Sequence, residues 1–227
     1  MEIIPGVHKI EGVSGANCYL VTSGTEMVLI DTGMRGSSKK VASYLKTLGK
    51  NPSDIKYIFI THADPDHISG AMEIKKLTGA KLVIHNGEMP ALAGDSSSRL
   101  RNKSRIVKIL SRMLSGLIRF PSASPDIVLK ADTEIAGFKI INTLGHSDGS
   151  ISIYQPGTVI FVGDALTADA NGNPKRPVKM LAADMAQAKA SVELIAGLKY
   201  NTLLVGHGAP VKGDAVAKVK KLLADWK

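Results

Sequence analysis

The stretch FITHADPDHISGA, residues 59–71, restricts what this chain can fold into more than any other. Two imidazoles and two carboxylates, His62, Asp64, Asp66 and His67, are crowded between an apolar strand and the start of an apolar helix. The strand is expected to end near Thr61 and the helix to begin near Ile68. The four side chains therefore stand in a loop at a strand's C-terminal end, where β/α architectures commonly carry their sites. Side chains of an extended segment repeat every two residues, so His62 and Asp64 point the same way. Pro65 holds Asp64 in β or polyproline geometry. Asp66 and His67 then enter the helix, and all four groups can converge. Helix capping by Asp66 would account for one residue of the four.

The same arrangement recurs further along. His146 lies in LGHSDGS, Asp164 in VIFVGDA and His207 in LLVGHGAP, each just past an apolar run. Turns of this kind, each bringing a Gly next to a His or Asp, read as one shared metal-ligating site. The chain has six histidines in all. The remaining two, His8 and His85, have no partner motif. His85 ends a strand in IHNGEMP and reads as a satisfied surface or core histidine, although it could line the cleft. Cys18, the single cysteine, lies inside a predicted strand and reads as packing.

Periodicity predicts strands at 17–23 and 26–33, a helix over 38–48, a strand at 56–61, a helix over 68–79 and a strand at 80–85. Beyond Pro121, further strands are broken by Gly, Pro and Asp turns, and helices are expected over 184–198 and 214–226. Strands followed by a helix occur in each half, which predicts two similar β/α halves face to face in a single domain spanning 1–227. A basic helical insertion is expected at about 88–121. Between Arg99 and Arg119 stand Arg101, Lys103, Arg105, Lys108 and Arg112 with no acid among them, while Ile106, Met113 and Leu117 fall at helical spacing. A solvated amphipathic helix, an active-site lid, a homodimer contact and a membrane-surface helix all fit that segment.

Composition narrows the class. Hydrophobic content of 44% and charged content of 22% are ordinary for a globular chain. No basic leader followed by an apolar run opens the sequence, and no stretch approaches the roughly 18 apolar residues of a membrane span. With one cysteine there is no internal disulfide, so a reducing cytoplasm is the expected location. Aromatic residues at 4% argue against a base-stacking platform, so a nucleic-acid partner is not expected. The net charge of +9 bears on steering of an anionic small-molecule substrate rather than on the reaction.

Taken in order, LIDTG (29–33), THADPDH (61–67), GHSDGS (145–150), FVGDA (161–165) and GHGAP (206–210) resemble the metallo-β-lactamase fold superfamily, over roughly residues 5–212. The resemblance implies an α/β fold, a four-layer αβ/βα sandwich, with a metal site in the cleft between its sheets. It implies one or two divalent metal ions, with His62 and His146 on the first, Asp66, His67 and His207 on the second, and Asp164 between them. Asp31 would orient a ligand histidine. The members closest in motif style are glyoxalase II-like and lactonase-like hydrolases.

Asp64 departs from the family pattern, which has histidine there. Its carboxylate is shorter than imidazole and negative. The first ion could shift toward the loop, Asp64 could bind through a water, or the site could be mononuclear; a harmless substitution is the fourth reading. Zinc is the expected ion, while the oxygen-rich set also suits iron or manganese.

The leading expectation is a metal-dependent hydrolase that uses a metal-bound hydroxide to cleave an ester, thioester or lactone, with Asp66 orienting the nucleophile. An acidic residue at position 64 also resembles flavodiiron proteins, and persulfide dioxygenases use one iron in a similar cleft, so iron-dependent redox chemistry is the alternative. A nuclease and an inactive fold with a partner-binding helix are the remaining readings.

Overall fold

The computed structural model describes residues 1–23, 26–93 and 123–226. Its strands are β1 (Glu2–Ile4), β2 (Val7–Lys9), β3 (Tyr19–Ser23), β4 (Glu26–Ile30), β5 (Ile55–Phe59), β6 (Lys81–His85), β7 (Ile127–Leu129), β8 (Thr133–Ile135), β9 (Phe138–Asn142), β10 (Ile151–Gln155), β11 (Val159–Phe161), β12 (Thr167–Ala168), β13 (Pro174–Lys175) and β14 (Thr202–Leu204). The helices of the described residues are α1 (Ser37–Thr47), α2 (Pro65–Ile68), α3 (Ala71–Thr78), α4 (Met89–Leu92), α5 (Met185–Gly197) and α6 (Ala215–Ala224). The basic 99–119 segment lies outside the described residues. Of the insertion expected at about 88–121, only residues 88–93 are described, as the end of a turn and the short α4.

Strands β1 to β7 form one sheet in sequence order, antiparallel from β1 to β4 and parallel from β4 to β7. A second sheet runs β14-β11-β10-β9-β8, and β12 pairs with β13 apart from both. The parallel strands read as continuous apolar runs because both of their faces are covered. Alternate residues go to opposite sides. Val28, Ile30, Phe59 and Val83 meet Phe138, Ile140, Ile153, Phe161 and Leu204 of the facing sheet. Leu29, Ile58 and Leu82 pack outward on Val41 and Leu45 of α1 and Ile74 of α3. On the far side Ile160 and Leu203 pack on Val192 and Ile195 of α5 and Val219 of α6. The order is helix, sheet, sheet, helix: the four-layer αβ/βα sandwich, an α/β fold as expected.

Two local differences from the expected elements have physical causes. The N-terminus carries a hairpin, β1 to β2, too short to show alternation and marked only by its Pro5–Gly6 turn, with Gly6 at φ 76°. The helix expected over 68–79 is split into α2 and α3. Its backbone groups are taken by neighbouring loops: Asp66 O accepts from Ala16 N–H (3.1 Å), His67 O from Thr32 N–H (2.8 Å), and Gly70 N–H donates to Gly33 O (3.0 Å). A Cβ on Gly70 would sit 2.7 Å from Thr32 O, so only glycine lets the chain pass there.

Topology gathers the loops that matter. Strands β4, β5 and β6 run in one direction, and β9, β11 and β14 share a direction in the other sheet. The C-terminal ends of these strands make one rim, where Ile151 N–H donates to Thr61 O (3.0 Å) across the two sheets.

Candidate metal centre

All seven side chains singled out in the sequence, His62, Asp64, Asp66, His67, His146, Asp164 and His207, meet at this rim. His62, His146 and Asp164 form one group and Asp66, His67 and His207 a second, each with ligand-capable atoms within 4.8 Å of one another. Asp164 joins them. Its carboxylate lies 3.4 Å from His67 Nε2, 3.6 Å from His207 Nε2 and 4.0 Å from His146 Nε2. His207 Nε2 is 3.1 Å from Asp66 Oδ2. The ring centroids of His62 and His67 are 4.0 Å apart, and those of His62 and His146 4.5 Å.

Asp64 reaches the same centre. Its Oδ2 is 3.2 Å from His62 Nε2 and 3.0 Å from His146 Nε2. Backbone at φ −66° and ψ 141° keeps Asp64 extended before Pro65, as proline requires. Asp64 stands at the N-cap of α2 without a side-chain capping bond, and Asp66 lies inside the first turn.

Asp31 aims the histidines. It follows β4 with φ 56°, a left-handed conformation that non-glycine residues rarely adopt. Its Oδ2 lies 2.8 Å from His67 Nδ1, and it accepts the N–H of Thr61 (2.9 Å) and the Thr61 hydroxyl. Because that hydroxyl donates to Asp31, it must accept from His62 Nδ1, 3.0 Å away. Both rings thereby carry a proton on Nδ1 and turn Nε2, the nitrogen whose lone pair would ligate a cation, toward the centre.

Charge follows the same geometry. Burial and the imidazoles of His67 and His146 make His62 less basic, against the pull of Asp64. Burial also opposes charge on His67, yet Asp31 and Asp164 raise it well above the ordinary imidazole value. The hydrogen bond to Asp66 raises His207. Burial disfavours ionisation of Asp66 and Asp164, but the surrounding histidines hold both below the usual carboxylate range.

The donors fit a divalent cation. His62 Nε2, His67 Nε2 and Asp164 Oδ1 are buried at the rim without a well-formed hydrogen bond, the two nitrogens facing carboxylate oxygens at 3.2 and 3.4 Å. Cations among these atoms would use the inward lone pairs, and mixed imidazole and carboxylate donors suit zinc, iron or manganese.

His85 does not join the centre. It ends β6 and caps the turn Asn86–Glu88, its Nδ1 accepting Gly87 N–H at 3.2 Å. Cys18 is buried, its thiol directed at Asp31 O. Supporting residues missed in the sequence are Thr61, Glu88 and Asn17. Asn17 Nδ2 donates to Val205 O (2.9 Å) and Gly208 O (3.0 Å), bracketing His207. Only the adjacency of Thr61 to the histidine cluster gave any signal in advance. At Gly206 a side chain has no room, since a Cβ would lie 2.3 Å from Asp164 Oδ1.

The family model described as the metallo-beta-lactamase superfamily matches residues 12–207. The chain is 31% identical to the probable metallo-hydrolase YflN of Bacillus subtilis (strain 168), over 93% of this chain and 87% of that protein. It is 28% identical to the uncharacterized protein YobT of the same organism, over 90% and 91% of the two chains. Among solved structures, a metallo-beta-lactamase family protein from Thermus thermophilus superposes with a TM-score of 0.71 at 22% identity, covering 99% of this chain and 80% of that one, which shows a common fold. With ligand-type residues on both sheets meeting at one rim and a family model spanning most of its length, the chain belongs to the metallo-beta-lactamase superfamily.

Proposed function

We propose that the chain is a binuclear metal-dependent hydrolase acting on an ester, thioester or lactone. The observation that carries this reading is the pairing of two donor groups, His62–His146–Asp164 and Asp66–His67–His207, through a shared Asp164. His62, His146 and Asp64 would hold the first ion, Asp66, His67 and His207 the second, with Asp164 between them. When bound, such ions act as Lewis acids and make water acidic enough to attack at neutral pH.

The chain's own groups set up the rest. Asp31 and Thr61 keep His62 and His67 in the tautomer that can ligate. Asp66, half-buried beside the partly exposed His207, orients the attacking group on the open side of the centre. The basic 99–119 segment would favour an anionic acyl substrate by charge. Zinc is the expected ion. A cytoplasmic location suits a chain whose single cysteine is a buried free thiol.

A second reading, iron-dependent redox chemistry, is favoured by one observation. Asp64 brings a carboxylate oxygen within 3.2 Å of His62 Nε2 and 3.0 Å of His146 Nε2, which makes the first pocket oxygen-rich. One experiment separates the two. Protein loaded separately with zinc, manganese and anaerobic iron is assayed against thioesters, lactones and β-lactams, with oxygen uptake followed in parallel. Turnover of an acyl substrate supports the hydrolase. Oxygen consumption by the iron form alone, with no acyl cleavage, overturns it.

A further inference from the structure

Glu88 is a carboxylate the metal centre does not use directly, and it is 1% exposed. It ends the turn after β6, and its two oxygens reach both loops of the first pocket. Oε2 accepts the N–H of Ala63 (2.9 Å), the residue between His62 and Asp64. Oε1 accepts the N–H of Gly149 (3.1 Å) and the hydroxyl of Ser147, the residue after His146. Ser147 is fixed in turn by Ser150, whose Oγ accepts the Ser147 N–H at 3.1 Å.

The two turns interlock so closely that neither tolerates a side chain at the contact. A Cβ on Gly149 would lie 2.7 Å from Glu88 N and 2.7 Å from Glu88 Cγ, and one on Gly87 would lie 2.2 Å from Asp148 O. The glycines of IHNGE and HSDG thus make room for the carboxylate. Side chains two apart in an extended segment share a face, so anchoring the Ala63 N–H on Glu88 fixes the short piece of backbone that carries both His62 and Asp64. The second group of donors is held by other means: His67 by Asp31, and the His207 loop by Asn17.

We propose that Glu88 is a positioning residue that sets the His62–Asp64 pair against His146, acting through Ala63, Ser147 and Gly149, and so governs binding of the first ion selectively. The inference rests on the metal-centre reading above. Its test is titration of the metal-free protein with cobalt alone, following visible absorption, counting ions by native mass spectrometry and measuring each affinity by chelator competition. In Glu88→Gln the first ion should weaken by about 10–100-fold, the range for losing a partner that orients ligands, while the second binds as in wild type. Two ions bound with wild-type affinities overturn the proposal, and so does equal weakening of both. If Glu88→Gln does not fold, Ser147→Ala and Gly149→Ala each disturb one side of the same contact, and selective loss of the first ion is expected in both. Wild-type binding of both ions by these variants overturns the proposal. A wild-type chain that takes up no cobalt overturns the metal-centre reading itself, and Glu88's role with it.

Discussion

The side chains of the candidate metal centre are few, and each sits where local geometry leaves it little choice. Asp31 is held left-handed so that one carboxylate can serve His67 and Thr61 together. Asp31→Asn should lower metal affinity about 10–100-fold with the fold retained, read by chelator competition beside circular dichroism. Asp64 is the residue that sets this chain apart from its family's usual pattern. Asp64→Ala should weaken the first ion by more than about tenfold, exceeding the least effect of losing an outer partner, whereas Asp64→His should keep it. Equal ion counts in wild type and Asp64→Ala would show that the carboxylate takes no part. Cys18 gives a contrasting prediction. It is fully buried, and burial together with Asp31 pushes its thiol far above the ordinary range, so the thiolate is absent at pH 8. Iodoacetamide should leave Cys18 unmodified in the native protein and alkylate it in guanidinium chloride, as mass spectrometry would show. The ligand-type residues were legible in the sequence because histidine and aspartate at strand ends are chemically conspicuous. Glu88 and Asn17 were not legible, because their roles exist only through contacts 25 or more residues away, such as Ala63 N–H to Glu88 and Asn17 to Val205 O.

At the scale of elements, strands were easier to foresee than their exact ends. Apolar runs such as YIFI and LVIH announce buried parallel strands, and β5 and β6 fall on them. The hairpin β1 to β2 and the pair β12 to β13 escaped notice because strands of two or three residues are too short to display a period. The break between α2 and α3 was hidden for another reason. Sequence periodicity reports which face is apolar, whereas the break comes from carbonyls and amides diverted to loops 14–17 and 31–34. Gly70 is the point where this diversion becomes steric. Gly70→Ala should destabilise the protein by about 1–3 kcal/mol, the usual cost of overpacking, measured by urea denaturation. A change within about 0.5 kcal/mol, ordinary for a surface position, would mean the loop yields without cost.

The whole molecule works as two sheets clamped face to face, with each sheet delivering part of the donor set to a common rim. The first sheet carries Asp31, His62 and the α2 loop; the second carries His146, Asp164 and His207. The clamp is apolar. Phe59 and Phe138 meet with ring centroids 6.5 Å apart, and Tyr19 and Phe161 at 5.4 Å. Phe161→Ala should cost about 3–5 kcal/mol in denaturant unfolding, and any loss of metal should track loss of folded protein. This layered plan was legible early, because strands followed by helices in each half leave few ways to bury both faces of both sheets. The segment at 99–119 was legible only as charge and spacing. The most direct test of the central claim is metal stoichiometry by elemental analysis on protein reconstituted with zinc and passed through a desalting column. Two ions per wild-type chain and one per Asp64→Ala chain are predicted. Folded wild-type protein that retains no zinc, manganese or iron would contradict the account.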